Sequence, residues 1–378
     1  MGDIMVQAIG YAAKSKTSLL KSFEFLRKNL TAQDVQIDIQ YCGVCHSDVH
    51  QARNEWHNTQ YPCMPGHEIV GVVEKVGRGV KKFKVGDLVG VGCMIDSCGK
   101  CQPCKDGEEN LCEKGALATY NGNMRQPTDH ENTYGGYSNK IVVNQNFVLT
   151  IPKKIAPESA GPILCAGVTT YSPLKHWKVG RGTKVGIVGI GGLGHMAIKI
   201  AKAMGAEVTA ITAHKNKSKD ALGFGAKHVL LSTDKNAMKK AQSSLDFILS
   251  TIPQSHDVNP YCDLLKNDGV LTIVGCIAPT SKPVDLSKMV MSRRVLATSI
   301  IGGIAETQEV LDFCAKHDIA PDTKLINIQD VNDAFDQLDR GDVDYRFVID
   351  MSSLAGEHES KSWLKTMGIV GKKESQQH

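Results

Sequence analysis

Short apolar runs of strand length follow one another through the first 150 or so residues. They are rich in β-branched residues and are separated by Gly, Pro and Asp, with turn chemistry at Gly77, Gly79 and Gly86-Asp87. This pattern predicts an all-β unit, built as a partly open barrel with long loops. The predicted strands are Val35–Tyr41, Ile69–Val76, Leu88–Val91, Lys140–Val143 and Val148–Ile151.

The pattern changes after Pro157. From Thr183 onward, strand-length apolar runs alternate with amphipathic segments of helix length. The runs lack strict alternation of polar and apolar residues, as is typical of strands buried on both faces, so they predict a doubly wound parallel sheet. The strands are Lys184–Ile190, Glu207–Thr212, His228–Ser232, Leu245–Thr251, Val270–Cys276 and Val295–Ile301, and the helices between them include His195–Met204, Lys217–Phe224 and Ala237–Gln242.

The segment after Gly302-Gly303 carries a predicted helix, Thr307–Lys316, a second helical segment, Val331–Leu338, and a strand, Tyr345–Ile349. Six strands already complete the parallel sheet, so this segment is expected to return to the first unit. The sequence therefore predicts one unit from residues 1–157 and 303–351 and a second from 158–302. Residues 352–378 are polar, weakly patterned and expected to form a mobile tail, with one short helix around Trp363.

Composition narrows the class of protein. The chain has 378 residues, 42% of them hydrophobic and 22% charged, which suits two folded domains. The net charge of +4 is too small to indicate a nucleic-acid partner. No run of eighteen apolar residues predicts a membrane span, and the N-terminus lacks the basic and apolar regions of a signal peptide. The expected location is the cytoplasm.

A glycine-rich turn stands at the start of the second unit. Gly189-Ile190-Gly191-Gly192-Leu193-Gly194 follows a strand and opens a helix, which is the context that a dinucleotide-binding fingerprint requires. In that motif Gly189 makes the tight turn, Gly191 admits the pyrophosphate to the backbone, and Gly194 lets the helix pack on the strand. Thr251, at the end of the fourth strand of this unit, is a further candidate for cofactor contact.

The end of the second strand of this unit indicates which dinucleotide binds. An NAD site usually has a carboxylate there, whereas this chain has none and its Glu207 begins the strand instead. Thr212, His214, Lys215 and Lys217 offer hydrogen-bond donors and positive charge for a 2′-phosphate, which favours NADP(H). The alternative is a solvated helix start, with NAD held by the backbone alone.

The cysteines divide into clustered and isolated positions. Twelve cysteines in a chain expected in the cytoplasm are more typical of metal binding than of disulfides. One cluster has the spacing of a closed, structural tetrahedral zinc site, and its last gap of seven residues does not match the run that binds an iron–sulfur cluster. Cys262, Cys276 and Cys314 are isolated among apolar residues and are expected in the core. The clustered residues are Cys98, Cys101, Cys104 and Cys112.

Several motifs together carry a family resemblance. They are Gly43–His50, Pro65–Glu68, Leu164–Leu174, the four-cysteine loop, the glycine fingerprint and Tyr345–Val348. Together they resemble the zinc-dependent medium-chain alcohol dehydrogenase family, and within it the branch of cinnamyl alcohol dehydrogenases and NADP(H)-dependent aldehyde reductases. The resemblance covers about residues 5–350.

The resemblance implies a GroES-like catalytic domain, a Rossmann-like nucleotide domain and a homodimer. It implies that Cys45, His67 and Cys165 bind a catalytic zinc ion, for a total of two Zn²⁺ per chain. Glu68 would be either a fourth ligand or a neighbour of the ligands, and Ser47 and His50 would form a proton relay. The expected reaction is the interconversion of small-molecule aldehydes and primary alcohols by hydride transfer with NADP(H).

The resemblance also suggests the substrate pocket, with Trp56, Tyr61, Leu117, Tyr120 and Ile300 as candidate lining residues. Leu117–Tyr120 and Ile300 stand where the lignin-forming branch has aromatic residues, which favours a broad reductase of aromatic and medium-chain aldehydes. The rival enzyme is an NAD-dependent alcohol or polyol dehydrogenase. The rival of another class is a non-catalytic zinc protein, which the net charge does not favour. A zinc-free quinone reductase would lack both cysteine sets.

Overall fold

The computed structural model describes residues 5–122, 132–275, 278–341 and 345–354. Two large sheets dominate these residues. In chain order the strands are Val6–Ala12 (β1), Lys21–Arg27 (β2), Asp34–Val44 (β3), Ile69–Val76 (β4), Leu88–Val91 (β5), Met94–Asp96 (β6), Leu117–Ala118 (β7), Lys140–Asn144 (β8), Leu149–Thr150 (β9), Lys184–Val188 (β10), Glu207–Thr212 (β11), His228–Leu231 (β12), Leu245–Ser250 (β13), Leu265–Ile273 (β14), Val295–Thr298 (β15), Thr323–Asn327 (β16) and Arg346–Asp350 (β17).

Helices cover these sheets and connect their strands. They are His46–Ala52 (α1), Gln102–Lys105 (α2), Pro157–Ala160 (α3), Ala166–His176 (α4), Gly194–Ala203 (α5), Ser218–Phe224 (α6), Lys235–Lys240 (α7), Asn259–Cys262 (α8), Ser287–Val290 (α9), Ile304–Lys316 (α10) and Val331–Arg340 (α11). Short 3₁₀ turns include Glu109–Leu111, Gly161–Leu164, Lys215–Lys217 and Met351–Leu354. None of the helices in the described part of the chain is both long and apolar enough for a bilayer crossing.

The six-stranded sheet is parallel throughout, with strand order β12-β11-β10-β13-β14-β15. The chain reverses direction of travel across the sheet between β10 and β13, which leaves a crevice outside the carboxyl ends of these two strands. The doubly wound parallel sheet predicted from the sequence is confirmed. The glycine-rich turn lies at this crevice because it directly follows β10.

The seven-stranded sheet has the order β16-β17-β3-β4-β5-β9, and β8 also pairs with β3. The pair β16–β17 is parallel, and all the other neighbouring strands in this sheet, including β17 and β3, are antiparallel. Phe347 of β17 pairs with Val44 of β3, so a strand from the end of the chain completes a sheet begun near its start. A separate hairpin, β1–β2, contacts this sheet through a bridge between Gly10 and Ser138.

The predicted strands agree with the observed ones, with small shifts at their ends. The exception is Val270–Cys276, which begins at Leu265 and ends at Ile273, while Cys276 lies outside the described residues. The sequence missed β1, β2, β6, β7 and β16. The tail predicted from Ser352 is wrong at its start, because Leu354 is buried in a 3₁₀ turn. The predicted helix around Trp363 lies outside the described residues, and the predicted domain boundaries stay predictions.

One hydrophobic cluster joins the two sheets. It includes Leu149 and Ile151 beside the seven-stranded sheet and Ile187 and Leu249 from the centre of the six-stranded one. Ile301 packs against this cluster and also against the core of the seven-stranded sheet. The crevice at the glycine-rich turn therefore faces the other sheet across a packed contact, which fixes where the functional cleft opens.

Candidate active site

A cleft of about 900 Å³ runs between the two sheets. One end is lined by Cys45, His67 and Cys165, and the other by the glycine-rich turn and the end of β11. The seven-stranded sheet and the helices beside it therefore present metal-binding side chains to the same space as the dinucleotide fingerprint.

The first metal-binding cluster contains Cys45, His67, Glu68 and Cys165, all of them buried, and their ligand atoms lie within 4.8 Å of one another. The sulfurs of Cys45 and Cys165 are 4.0 Å apart, and His67 Nε2 is 3.2 Å from Cys165 Sγ. Zinc–thiolate bonds at tetrahedral angles separate two sulfurs by about 3.8 Å. The donor set and its spacing therefore fit a zinc ion.

Local structure brings these ligands together. Cys45 directly follows β3 and is the N-cap of α1, His67 lies just before β4, and Cys165 connects a 3₁₀ turn to α4. In the chain without metal, the hydrogen bond from the Cys165 thiol lowers the pKa of Cys45 well below its ordinary value. A thiolate paired with a thiol is the form that a metal ion converts into two thiolate ligands.

Asp48 orients two of the candidate metal ligands, Cys45 and His67, through hydrogen bonds. It is fully buried and accepts hydrogen bonds from the Cys45 N–H at 2.9 Å, the Gly66 N–H at 3.1 Å and the Tyr137 hydroxyl at 3.0 Å. His67 Nδ1 lies 3.1 Å from the same carboxylate, which fixes Nδ1 as the protonated nitrogen and leaves Nε2 free to bind a metal. In the sequence, Asp48 lies within the motif Gly43–His50, but nothing in the pattern indicates this role.

Glu68 and Arg346 form a buried ion pair next to the ligands, with Glu68 Oε1 3.3 Å from Arg346 Nη1. Burial raises the pKa of Glu68 to about 7, and the Arg346 charge opposes that rise. Neither carboxylate oxygen has a hydrogen-bond partner among the described residues, so both are available to a metal ion. The Glu68 carboxylate sits so close to β3 that a Cβ at Gly43 would overlap it.

Arg346 also reaches the nucleotide end of the cleft. Its Nη1 lies 3.4 Å from the Val44 carbonyl oxygen, and a Cβ at Gly192 would be 2.9 Å from its Nε. Nε and Nη2 are buried and have no partner in the part of the chain that is described. A buried guanidinium with unused donors beside a dinucleotide fingerprint is the arrangement that binds an anionic group. In the sequence, Arg346 belongs to the motif Tyr345–Val348, but nothing there gives it this role, because its partners lie far away along the chain.

The second metal-binding cluster lies in a separate lobe. The sulfurs of Cys98 and Cys104 are 3.9 Å apart, those of Cys101 and Cys104 are 3.4 Å apart, and those of Cys101 and Cys112 are 3.9 Å apart. All four ligand atoms lie within 4.8 Å of one another, which again suits tetrahedral zinc. Backbone N–H groups of Lys100 and Cys101 point at Cys98 Sγ and lower its pKa to about 6.

The two candidate relay residues lie on α1, three positions apart and so on one helix face. Ser47 Oγ is 3.7 Å from Cys45 Sγ, and His50 Nδ1 is 2.6 Å from Glu55 Oε2. Both Ser47 and His50 line the cleft. Glu55 orients the His50 ring, a role that the sequence analysis did not assign.

The glycine-rich turn adopts a conformation that requires glycine at two points. Gly189 has φ +86°, and a Cβ at Gly194 would overlap the Gly189 carbonyl oxygen. Leu193 lines the cleft at the start of α5. Thr251 donates its hydroxyl to the carbonyl oxygens of Val188 and Gly189, at 2.9 and 3.0 Å, and so holds the turn in place.

The residues after β11 separate into two groups. Thr212, His214 and Lys217 line the cleft, and Lys217 Nζ lies 4.8 Å from the centroid of the Tyr345 ring. Lys215 is exposed and is not among the residues that line the cleft. The structure thus brings three of the four predicted phosphate contacts to the cleft and leaves Lys215 in solvent.

His195 connects the glycine-rich turn to the other unit. Its ring is fully buried, with Nδ1 3.1 Å from the Gly191 carbonyl oxygen, and Nε2 accepts the Asp322 N–H at 3.3 Å. Burial, together with the nearby Lys199 ammonium, lowers the pKa of His195 to about 3. The ring is therefore neutral at physiological pH and fixed in one tautomer.

Three of the five residues predicted to line the substrate pocket do line the cleft, and two do not. Trp56, Tyr120 and Ile300 line the cleft, and the His67 and Tyr120 ring centroids are 5.6 Å apart. Tyr61 and Leu117 are not among the lining residues, since Tyr61 packs against the core and donates its hydroxyl to the Ala52 carbonyl oxygen. Cys93 also lines the cleft, with its sulfur 4.0 Å from the Leu164 carbonyl oxygen; the sequence did not single it out.

Comparisons with known proteins follow the same division of the chain. Residues 31–153 match a family model described as the alcohol dehydrogenase GroES-like domain. Residues 192–316 match one described as zinc-binding dehydrogenase. Aldehyde reductase YahK from Escherichia coli (strain K12) is 48% identical over 92% of this chain and 99% of its own length.

Two solved structures of cinnamyl alcohol dehydrogenases are similar to this one. The enzyme from Helicobacter pylori, complexed with NADP(H), has a TM-score of 0.86 and 45% identity, over 92% of this chain and 99% of its own. The enzyme from Sorghum bicolor has a TM-score of 0.87 and 41% identity, over 92% of this chain and 98% of its own.

Replacing Asp48 with Asn is expected to weaken metal binding at the buried cluster by about ten- to a hundredfold. All four groups that face the Asp48 carboxylate are donors, two on each oxygen. The Asn side chain would place its NH₂ group opposite two of these donors, which would then lose their acceptor. Zinc content after dialysis against a graded series of chelator concentrations measures the loss. Asp333→Asn, at an exposed position, is the control, and equal zinc retention in the two variants would contradict the role of Asp48.

His195→Gln is expected to flatten the pH dependence of stability. The unfolded chain protonates this histidine below about pH 6.5, whereas the folded chain holds it neutral down to about pH 3, so the free energy of unfolding decreases as the pH is lowered through that window. The slope is about 1.4 kcal/mol per pH unit for one proton. Gln keeps an acceptor for Asp322 and takes up no proton. Urea unfolding between about pH 6.5 and about pH 5 tests this, and parallel curves for the two proteins would refute it.

Proposed function

The chain belongs to the zinc-type alcohol dehydrogenase family, and from that premise we propose that it interconverts aldehydes and primary alcohols by hydride transfer with NADP(H). The observation that supports this most directly is the shared cleft. Cys45, His67 and Cys165 face the same space as the glycine-rich turn, and Glu68 lies buried next to them. A hydride donor held at that turn and a carbonyl held at the cluster would therefore meet.

The metal site supplies polarisation of the carbonyl oxygen when zinc is bound, and the dinucleotide supplies the hydride. The ligands would be Cys45, His67 and Cys165, with Glu68 exchanging between the metal ion and Arg346. Ser47 Oγ then holds a proton beside the ligands, where the oxygen of the product alcohol forms. His50, oriented by Glu55, restores that proton from the solvent side of α1.

The nucleotide end has its own set of residues. Gly189, Gly191, Gly192, Leu193 and Gly194 would present the start of α5 to the pyrophosphate, as helix N-termini do for anions. The unused donors of Arg346 would bind the same group. Thr251 acts indirectly, because it holds the turn in shape.

We assign NADP(H) rather than NAD because of the end of β11. Thr212, His214 and Lys217 line the cleft there, and Ala213 stands between them with no carboxylate. A 2′-phosphate would meet an ammonium and a ring nitrogen, and a bare ribose would find no acid to bind its hydroxyls. Lys215 contributes through the overall charge, since it lies outside the cleft.

The substrate end suits aromatic and medium-chain aldehydes. Trp56 and Tyr120 offer aromatic surface close to the metal ligands, and Ile300 and Met94 offer aliphatic surface. This mixture supports a broad aldehyde reductase. The four-cysteine lobe would hold a second, structural zinc ion, with no position open to substrate. Metal-binding thiols must stay reduced, which supports a cytoplasmic location.

We also propose that the protein forms a homodimer through β15. This strand is the edge of the six-stranded sheet, so one row of its backbone groups is unpaired within the chain's described residues. Exposed apolar side chains cluster just before it, with Leu286 72% exposed, Val290 69% and Met291 86%. A second copy added edge to edge would cover both features.

The cofactor assignment predicts that NADPH exceeds NADH in kcat/KM for benzaldehyde reduction. Lys217→Ala should raise the KM for NADPH by about ten- to a hundredfold and leave that for NADH nearly unchanged, because only a 2′-phosphate meets the ammonium. Lys219→Ala, an exposed lysine on α6, is the matched control. A wild-type preference for NADH would identify an NAD-dependent dehydrogenase. Activity with neither cofactor, in protein with two zinc ions per chain, would refute benzaldehyde reduction.

The dimer proposal predicts that Leu286→Glu combined with Met291→Glu yields monomers. Charges at two exposed apolar positions beside an edge strand oppose its pairing with another copy. Light scattering coupled to size-exclusion chromatography measures the mass, which should fall from twice to once the chain mass of 41.0 kDa. Leu222→Glu, at a position 51% exposed on α6, should leave the dimer intact. A monomeric wild-type protein would refute the proposal.

A further inference from the structure

The segment from Ile300 to Ile304, between β15 and α10, forms one wall of the cleft. Ile300 and Ile301 both line it. Ile301 has φ +41°, a left-handed conformation that is strained for a β-branched residue. Strained residues persist where neighbouring groups over-determine their conformation. The contacts on either side of Ile301 therefore decide the shape of this wall.

Those contacts come from the four-cysteine lobe. Asn110 Nδ2 donates to the Ile300 carbonyl oxygen at 3.0 Å, on one side of the strained residue. Glu109 Oε2 accepts the Ile304 N–H at 3.0 Å, on the other side. Two consecutive residues of the lobe thus hold the segment at both ends.

The start of α10 depends on the Glu109 contact. Its N-cap residue is Gly303, which has no side chain to cap the helix. The carboxylate of Glu109, which is distant along the chain, caps the helix instead by accepting the Ile304 N–H. A negative charge at the start of a helix is also favourable. A Cβ at Gly303 would overlap the Gly107 carbonyl oxygen, so backbone meets backbone here without room for a side chain.

The lobe borders the cleft at its own two ends as well. Met94 lines the cleft where the chain enters the lobe, and Ala116, Ala118 and Tyr120 line it where the chain leaves. The lobe is therefore connected to three parts of the same wall: its entry, its exit and the segment that it holds.

We propose that the four-cysteine lobe sets the shape of the substrate end of the cleft, with Glu109 and Asn110 as the positioning residues that hold Ile300 and Ile301 in place. This inference rests on the proposed aldehyde reductase function. It assigns to the lobe a role in substrate selection in addition to stability. Asn110 itself lines the cleft, whereas Glu109 does not, so Glu109 is the residue whose effect passes through the Ile300–Ile304 segment alone.

The test compares Glu109→Ala and Asn110→Asp with Glu109→Gln, whose amide oxygen still accepts the Ile304 N–H. Glu108→Ala removes a neighbouring exposed carboxylate and is the matched control. Steady-state reduction of cinnamaldehyde and of propanal is measured with NADPH. Hydrogen exchange of the peptide spanning residues 300–307 and zinc content are measured on the same zinc-loaded proteins.

Glu109→Ala and Asn110→Asp are expected to raise the KM for cinnamaldehyde about three- to tenfold, as for the loss of one hydrogen bond. The KM for propanal and for NADPH should change by less than about twofold, because a small aldehyde and the cofactor do not depend on this wall. Exchange at the start of α10 should accelerate in Glu109→Ala. Glu109→Gln and Glu108→Ala should behave like wild type, and all variants should keep two zinc ions.

Equal KM changes for the two aldehydes would overturn the inference, as would unchanged exchange in Glu109→Ala. Loss of zinc from Glu109→Ala would also overturn it, since the residue would then act on the stability of the lobe. A wild-type protein that reduces neither aldehyde would refute the proposed function instead. In that case, faster hydrogen exchange in Glu109→Ala than in wild type would still show that the four-cysteine lobe holds the Ile300–Ile304 segment in place.

Discussion

One buried carboxylate supports the rest of the candidate active site. Asp48 accepts hydrogen bonds from two backbone N–H groups, a tyrosine hydroxyl and the His67 ring, all without contact with solvent. A buried charge is costly unless every lone pair is used, and here the protein supplies donors from the residue just before α1, the turn before β4 and the loop before β8. The position of the metal ligands follows from the need to satisfy this one group.

Arg346 links the metal end of the cleft to the nucleotide end. Burial by itself lowers its pKa, but the carboxylate of Glu68 and the thiols of Cys45 and Cys165 raise the pKa above its ordinary value, so the charge persists in the core. The same guanidinium lies beside Gly192 of the glycine-rich turn, where an added Cβ would be 2.9 Å from Arg346 Nε. An anion at the turn would draw on the same guanidinium that pairs with Glu68, and a metal ion bound by Glu68 would release that guanidinium from the carboxylate. Binding at either end changes the electrostatics of the other.

The sequence was informative wherever the signal is local. The G-x-G-x-x-G turn, the four-cysteine spacing and the long apolar strands each occupy a short window, and their physical requirements are visible there. Strand β16 was missed because it is an edge strand with an exposed Leu325 and so lacks an apolar pattern. Asp48 and Arg346 were missed because their roles depend on partners brought together by folding. Lys215 was selected for its charge and lies outside the cleft lining, since charge near a site does not fix the direction of a side chain, and its contact with the cofactor stays a prediction.

The topology also imposes an order on the making of the protein. The six-stranded sheet is built from one continuous stretch, whereas the seven-stranded sheet needs β17, which is synthesised after all six strands of the other sheet and pairs with β3. Arg346 belongs to β17, so it reaches Glu68 only when that strand pairs with β3. During synthesis the nucleotide-binding half can therefore fold while the metal-binding half still has an open edge. A chain that stops before β17 would carry its zinc ligands but not the cation that neutralises Glu68, so the pairing of β17 with β3 is the step that completes the active site.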